Sequence, residues 1–159
     1  MIKNILVSVS GSPNSLTASK YAICLAKLMK SKLFVVYVID SKVLGELLKS
    51  RIFVEAEAMA YESDLNQQGE VFLARIKKMA DSKAVACETF LLKGSVSEEV
   101  INKINELRVD MLVMGEMKEM ASRSAFFYDE GERIFRKSPC SVVMVKNHEI
   151  VENLYKEII

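Results

Sequence analysis

Apolar and polar positions fall in blocks along the chain, and the block lengths predict strands and helices in alternation. Ile5-Leu6-Val7-Ser8-Val9 is a β-branched, apolar run that stops at Ser10-Gly11-Ser12-Pro13, the pattern of a buried strand followed by a tight turn. Asn14 to Lys30 spaces Leu16, Ile23, Leu25, Ala26 and Met29 among lysines and predicts a helix with Ser or Asn caps at its start. Leu33 to Ile39 is a second apolar run, closed by Asp40.

A helical stretch in two pieces follows. Val43, Leu44, Leu47 and Leu48 share one face. A longer segment carries Phe53, Ala56 and Ala60, then Leu73, Ile76, Met79 and Ala80. Gly69 in its middle costs a helix about 1 kcal/mol relative to Ala, which leaves room for a break there. Ala84 to Leu92 is a third strand. Ser95 and Glu98 have the spacing of a capping box, opening a helix that buries Val100, Ile101, Ile104 and Leu107. Asp110 to Gly115 is a fourth strand. An irregular stretch, Glu116 to Tyr128, leads to a short helix around Glu130 to Lys137, which Ser138-Pro139 ends. Cys140 to Val145 is the fifth strand.

Apolar strands alternating with amphipathic helices predict an α/β fold, a five-stranded parallel sheet covered on both faces. Right-handed crossovers make it doubly wound and open. Ligands of such sheets bind beyond the carboxyl ends of the strands, which directs attention to the turns after Val9, Ile39, Leu92 and Met114. Val7, Val36, Val113 and Val143 are expected in central, buried positions.

Length and composition sharpen this. A chain of 159 residues fits one domain. Twenty-two basic against 21 acidic residues exclude a globally basic nucleic-acid binder. No apolar run approaches the roughly 20 residues that span a bilayer. Met1-Ile2-Lys3-Asn4 runs directly into a strand without the regions of a secretory signal. Cys24, Cys87 and Cys140 have neither disulfide nor zinc-ribbon spacing and read as core residues of a reducing compartment, so a cytoplasmic location is expected. His148, the one histidine, lies in the tail, a poor place for a catalytic base.

The Ser10 to Ser15 turn could present backbone N–H groups to an anion, although the same residues serve as ordinary helix caps. A dinucleotide fingerprint is excluded because Pro13 stands where its second glycine belongs, and a Gly-Lys-Ser/Thr phosphate loop is absent. A phosphoacceptor site is disfavoured because Ser8, Ser10 and Lys93 occupy the places that need acids.

Four segments together resemble the universal stress protein family. They are Ile5 to Ser15, Gly94-Ser95-Val96-Ser97-Glu98-Glu99-Val100-Ile101, Asp110 to Gly115, and Ser138-Pro139-Cys140-Ser141-Val142-Val143-Met144-Val145. The resemblance is spread over residues 3 to 146. It implies an adenine-nucleotide alpha-hydrolase-like fold with sheet order 3-2-1-4-5 in a domain of residues 1–146, beyond which residues 147–159 read as a helical tail. It also implies dimerisation through the last strand.

Many members bind ATP through glycines after the fourth strand, spaced as Gly, two residues, Gly, nine residues, Gly, then Ser or Thr. Here Gly115 keeps the first place, but Lys118, Tyr128 and Asp129 occupy the others. Ser10 replaces an acid usual after the first strand, and Val38 matches the position whose backbone meets adenine. The implied pocket therefore comprises Ser8, Val9, Ser10, Val38, Met114, Gly115, Lys118, Tyr128 and Asp129. Asp129 and Glu130 are expected at a helix start, where their charge opposes a triphosphate, while Lys118 suits a single phosphate or other small anion.

The expected function is a non-catalytic stress-response or signalling module with a degenerate nucleotide pocket. No metal and no obligatory cofactor are expected, nor binding to nucleic acid or membrane; the ligands considered are ATP, AMP or a small anion. The alternative is an ATP- or AMP-binding member with slow ATPase activity. A third reading, an ATP-pyrophosphatase, suffers from the loss of the second Gly and the Asp of its Ser-Gly-Gly-x-Asp-Ser loop. The apolar residues Met117, Met120, Ala121, Phe126 and Phe127 suggest a packed flap, or a lid or partner surface. Ile150, Val151, Leu154, Tyr155, Ile158 and Ile159 form a tail stripe that needs its own body or a second subunit to cover it. A homodimer through the last strand and tail is expected, with any other protein partner left unnamed.

Overall fold

The computed structural model describes residues 1–117 and 125–159, and of 125–129 the backbone alone. The elements run β1 (Asn4–Val9), α1 (Pro13–Met29), β2 (Lys32–Asp40), α2 (Ser41–Lys49), α3 (Glu55–Ser82), β3 (Cys87–Gly94), α4 (Val96–Glu106), β4 (Met111–Gly115), α5 (Ala125–Lys137), β5 (Ser141–Val145) and α6 (His148–Glu157). The strands form one parallel sheet in the order β3-β2-β1-β4-β5, as the resemblance implies.

Strand alternation divides the core into two layers. Ile5, Val7 and Val9 face α1, α3 and α6, where Ala18, Ala22, Leu73, Ile76 and Val151 pack. Leu6, Phe34, Val36 and Leu112 face the other way, onto Val100 and Ile104 of α4 and Ile134 of α5. Val7, Val36 and Val113 are fully buried. Val143 is only partly covered, because β5 pairs with β4 alone and forms the sheet edge. Cys24 is buried, Cys87 and Cys140 are half-buried, and all three are free thiols. No helix among the described residues is long and apolar enough to cross a membrane.

Several local expectations are corrected. α3 does not break at Gly69. A Cβ there would lie 2.7 Å from Leu91 Cδ1 and 3.3 Å from the Tyr37 ring, so the glycine lets the helix approach β2 and β3 closely. The third strand begins at Cys87 because residues 83 to 85 end α3. Ala84 adopts φ 55°, its N–H bonds Asp81 O, and the Val85 N–H reaches Ala80 O at 3.0 Å, the double closure of a Schellman motif. The capping box at Ser95 does not form, since its side chain makes no cap hydrogen bond.

The tail stripe splits. Val151 is buried, and the Tyr155 hydroxyl donates to Met79 O at 3.4 Å. Thr17 bonds His148 at 2.8 Å, and Lys20 pairs with Glu152. This fixes α6 on α1 and leaves Ile150 and Leu154 facing outward.

Candidate functional site

β1 and β4 are neighbours, but the chain leaves them toward opposite faces of the sheet, so a crevice opens between their carboxyl ends. The turn after β1 is drawn tight by its own hydroxyls. Gly11 takes φ +80°, Ser10 Oγ donates to Ser12 Oγ at 3.1 Å, and Ser12 Oγ accepts the Ser15 N–H at 3.2 Å as the cap of α1. This turn is tied to the one after β4. Asn14 Nδ2 donates to Glu116 O at 3.1 Å, and a Cβ on Gly115 would lie 2.8 Å from Asn14 O.

A cavity of about 650 Å³ opens here, within the range of small-molecule sites. Of the sequence-predicted residues, Ser8, Val9, Ser10, Val38, Met114 and Gly115 all line it. Lys118 lies outside the described residues, as do the side chains of Tyr128 and Asp129, and residues 120 and 121 with the side chains of 126 and 127 from the apolar segment. Met117 is described and lines the wall beside Gly131. α5 begins at Ala125, so residues 128 and 129 are not at a helix start.

Among the described residues three carboxylates contribute to the wall: Asp40, Glu116 and Glu130. Glu130 is only 2% exposed. Its Oε2 accepts the Ser97 N–H at 2.8 Å and its Oε1 accepts from Arg133 Nη1 at 2.9 Å. It thus supplies the cap that α4 lacks from Ser95 and is held by the positive end of that helix. Asp40 Oδ1 caps α2 through the Lys42 N–H at 2.9 Å, while its buried Oδ2 has no protein partner. None of the described lining residues is Lys or Arg. The carboxylates of this described part of the wall favour hydrogen-bond donors.

Sequence reasoning pointed to the turn that holds Asp40 and to the charge of Glu130, and missed Tyr37, Tyr61, Leu65 and Gln68 of this wall. Tyr61, Leu65 and Gln68 arrive on successive turns of α3. Gly69 was their signal, since a buried glycine inside a helix marks a close approach. Burial pushes the Tyr37 phenol above its ordinary pKa of 10, which keeps it a neutral hydroxyl. No group of His, Cys, Asp and Glu among the described residues is placed to hold a metal ion.

The sequence profile of the universal stress protein family matches residues 1–146. A universal stress protein of Methanocaldococcus jannaschii is 27% identical over 147 residues, 92% of this chain and 83% of the relative. Two solved structures share the fold. A universal stress protein in complex with cAMP aligns with TM-score 0.65 at 16% identity, over 91% of this chain and 96% of that one. A family protein from Arabidopsis thaliana with AMP bound aligns with TM-score 0.60 at 16% identity, over 91% and 92%.

Proposed function

Because the chain belongs to the universal stress protein family, we propose that it is a non-catalytic stress-response module of the cytoplasm whose strand-end cavity takes a ring ligand smaller than ATP. The observation that carries this reading is Glu130. Its buried carboxylate lies in the cavity wall beside β4, committed to the N-terminus of α4 and to Arg133. A triphosphate entering there would meet that charge. The solved relatives carrying AMP and cAMP support a ligand with one phosphate. Asp40 Oδ2, still without a donor, suits a ring amine or a ribose hydroxyl.

The alternative, an ATP-binding member with slow ATPase activity, is favoured by the volume of the cavity and by Val38 in its wall. Calorimetry with ATP and magnesium separates the two. Binding weaker than micromolar is expected; a micromolar dissociation constant or better, followed by phosphate release, establishes the alternative. On the sequence argument, replacing Tyr128→Gly together with Asp129→Ser should strengthen ATP binding.

The proposal includes a homodimer. β5 is an edge strand that pairs with β4, and proteins normally protect such edges; Ile150 and Leu154 add exposed apolar surface nearby in sequence. Sedimentation at micromolar concentration tests this, and a clean 17.9 kDa monomer overturns it.

A further inference from the structure

The sheet has two edges, and the one opposite β5 is the longer. β3 pairs with β2 alone. The register is unbroken from Leu33↔Cys87 to Asp40↔Gly94, and the eight residues of β3 include no Pro. The Leu33 N–H donates to Ala86 O at 2.9 Å. Backbone direction alternates along a parallel strand, so Glu88, Phe90 and Leu92 turn their N–H and C=O groups to β2. Cys87, Thr89, Leu91 and Lys93 turn theirs outward. Among the described residues, none of those four has a backbone partner beyond the sheet. Edges of this kind are usually guarded by charge. β3 has two charged side chains, and both are drawn back onto its own body: Glu88 accepts from Lys32 Nζ at 2.8 Å, and Lys93 pairs with Glu62 of α3.

The edge is complementary to itself. A second β3 laid antiparallel, with Phe90 opposite its own copy, sets Cys87 against the copy's Lys93 and Thr89 against the copy's Leu91. All the outward backbone groups are then used, in about eight hydrogen bonds. A shift of two residues either way leaves Lys93 opposite residue 85 or Cys87 opposite residue 95, both outside the strand. No like charges meet, because Glu88 faces Leu92 and Lys93 faces Cys87. α3 agrees with this register. Its Lys77 and Asp81 pair at 2.7 Å and stand close enough to Cys87 for their charges to act on its thiol, while Glu62 stands beside Lys93. Opposing Cys87 to Lys93 therefore brings the copy's Lys77 toward Glu62, and the two-fold axis repeats that match of opposite charges at the other end of the strand.

We propose that the β3 edge is an interface between two copies of this chain, joined as antiparallel strands about a two-fold axis at Phe90. It is separate from the β5 edge invoked above and does not depend on it.

Cysteine crosslinking of the full chain reads the register. Phe90→Cys sets two thiols opposite each other at a position where paired Cα atoms lie about 4.5 Å apart, within disulfide reach. Oxidised glutathione should give a crosslinked dimer above the level of the unmodified chain. Glu88→Cys holds its thiols four residues apart, about 14 Å, and should not crosslink. Thr89→Pro removes an outward N–H without removing a bond to β2. Sedimentation over a concentration series should show its self-association weakened about tenfold or more. Absence of the Phe90→Cys crosslink, a crosslink in Glu88→Cys, or sedimentation unaltered by Thr89→Pro overturns the interface. Should Thr89→Pro fail to fold, the two crosslinks decide. The β5 dimer is judged separately, by the association that Thr89→Pro retains.

Discussion

The turns that follow β1 and β4 occupy equivalent places at the crest of the sheet, yet they are built from different chemistry. The first is closed by neutral groups, Ser10, Ser12 and Ser15, with Gly11 supplying a positive φ. The wall beside the second carries Glu116 and the buried Glu130, whose charge is spent on α4 and Arg133. One crevice thus has a neutral side and an acidic side, and the difference sets where an anion could lie. It also shows that a carboxylate near a nucleotide-like site can serve the fold: Glu130 replaces a helix cap that the local sequence promised but did not deliver.

The strongest way to break this arrangement is at the point where the two turns touch. A side chain on Gly115 would strike the Asn14 backbone at 2.8 Å, and backbone cannot swing aside. Gly115→Ala should cost about 2–3 kcal/mol, read as a lower urea midpoint at unchanged slope. Gly131→Ala provides the contrast. Its nearest neighbour is Met117 Sδ, also at 2.8 Å, but a thioether can rotate away, so a smaller loss is expected. Equal losses would mean that the contact between the turns is not what holds the crest together.

Glu130 comes next. Glu130→Ala removes the acceptor for the Ser97 N–H and the partner of Arg133, and should destabilise by about 1–3 kcal/mol. Glu130→Gln keeps one acceptor oxygen and should recover part of that. Removing the negative charge should also raise affinity for a second or third phosphate. If Mg-ATP binds Glu130→Gln no better than the unmodified chain, the acidic wall is not what disfavours the triphosphate.

The fold was legible because apolar runs and amphipathic periods reported the layers directly. Ile5, Val7 and Val9 face one layer and Leu6 the other, as strand alternation requires. Helix ends were harder to read. α1, α3 and α4 turn out of the helix through Lys30, Ala84 and Arg108, all with φ near 50°, where glycine would have been the visible signal. Half of the site was equally open to reading, since Ser8, Ser10, Met114 and Gly115 belong to strand ends that the topology must bring together. Tyr61, Leu65 and Gln68 were not, because their place depends on how α3 crosses the sheet rather than on local pattern.

Those left-handed residues give a smaller test, on a region remote from either turn. Ala84→Gly relieves a backbone conformation that costs a side-chain-bearing residue about 1–2 kcal/mol, offset by the greater freedom of glycine in the unfolded chain. A net gain of about 0.5 kcal/mol is expected in chemical denaturation, with ligand binding at the crest unchanged. A loss of stability would show that the Ala84 methyl makes packing that outweighs the strain.

The smallest effect separates neutral from ionic anchoring along α1. Its start is held by hydroxyl and amide hydrogen bonds that do not titrate, whereas its other face is clamped to α6 through Lys20 and Glu152. The hydrogen bond from Lys20 holds the Glu152 carboxyl below its ordinary pKa of 4.5. A carboxylate depressed in the folded state binds its proton more readily when unfolded. Its contribution is therefore complete above about pH 5 and is lost as pH falls through the lower folded value. For a partly exposed pair this amounts to about 0.5 kcal/mol. Hydrogen exchange should accordingly show the α6 amides losing protection between pH 5 and pH 3, ahead of those in β1 and the first turn of α1. Glu152→Gln should remove that pH dependence and lower α6 protection at pH 6. If the start of α1 loosens in parallel with α6, the neutral turn depends on the ionic clamp, and the two regions are one cooperative unit.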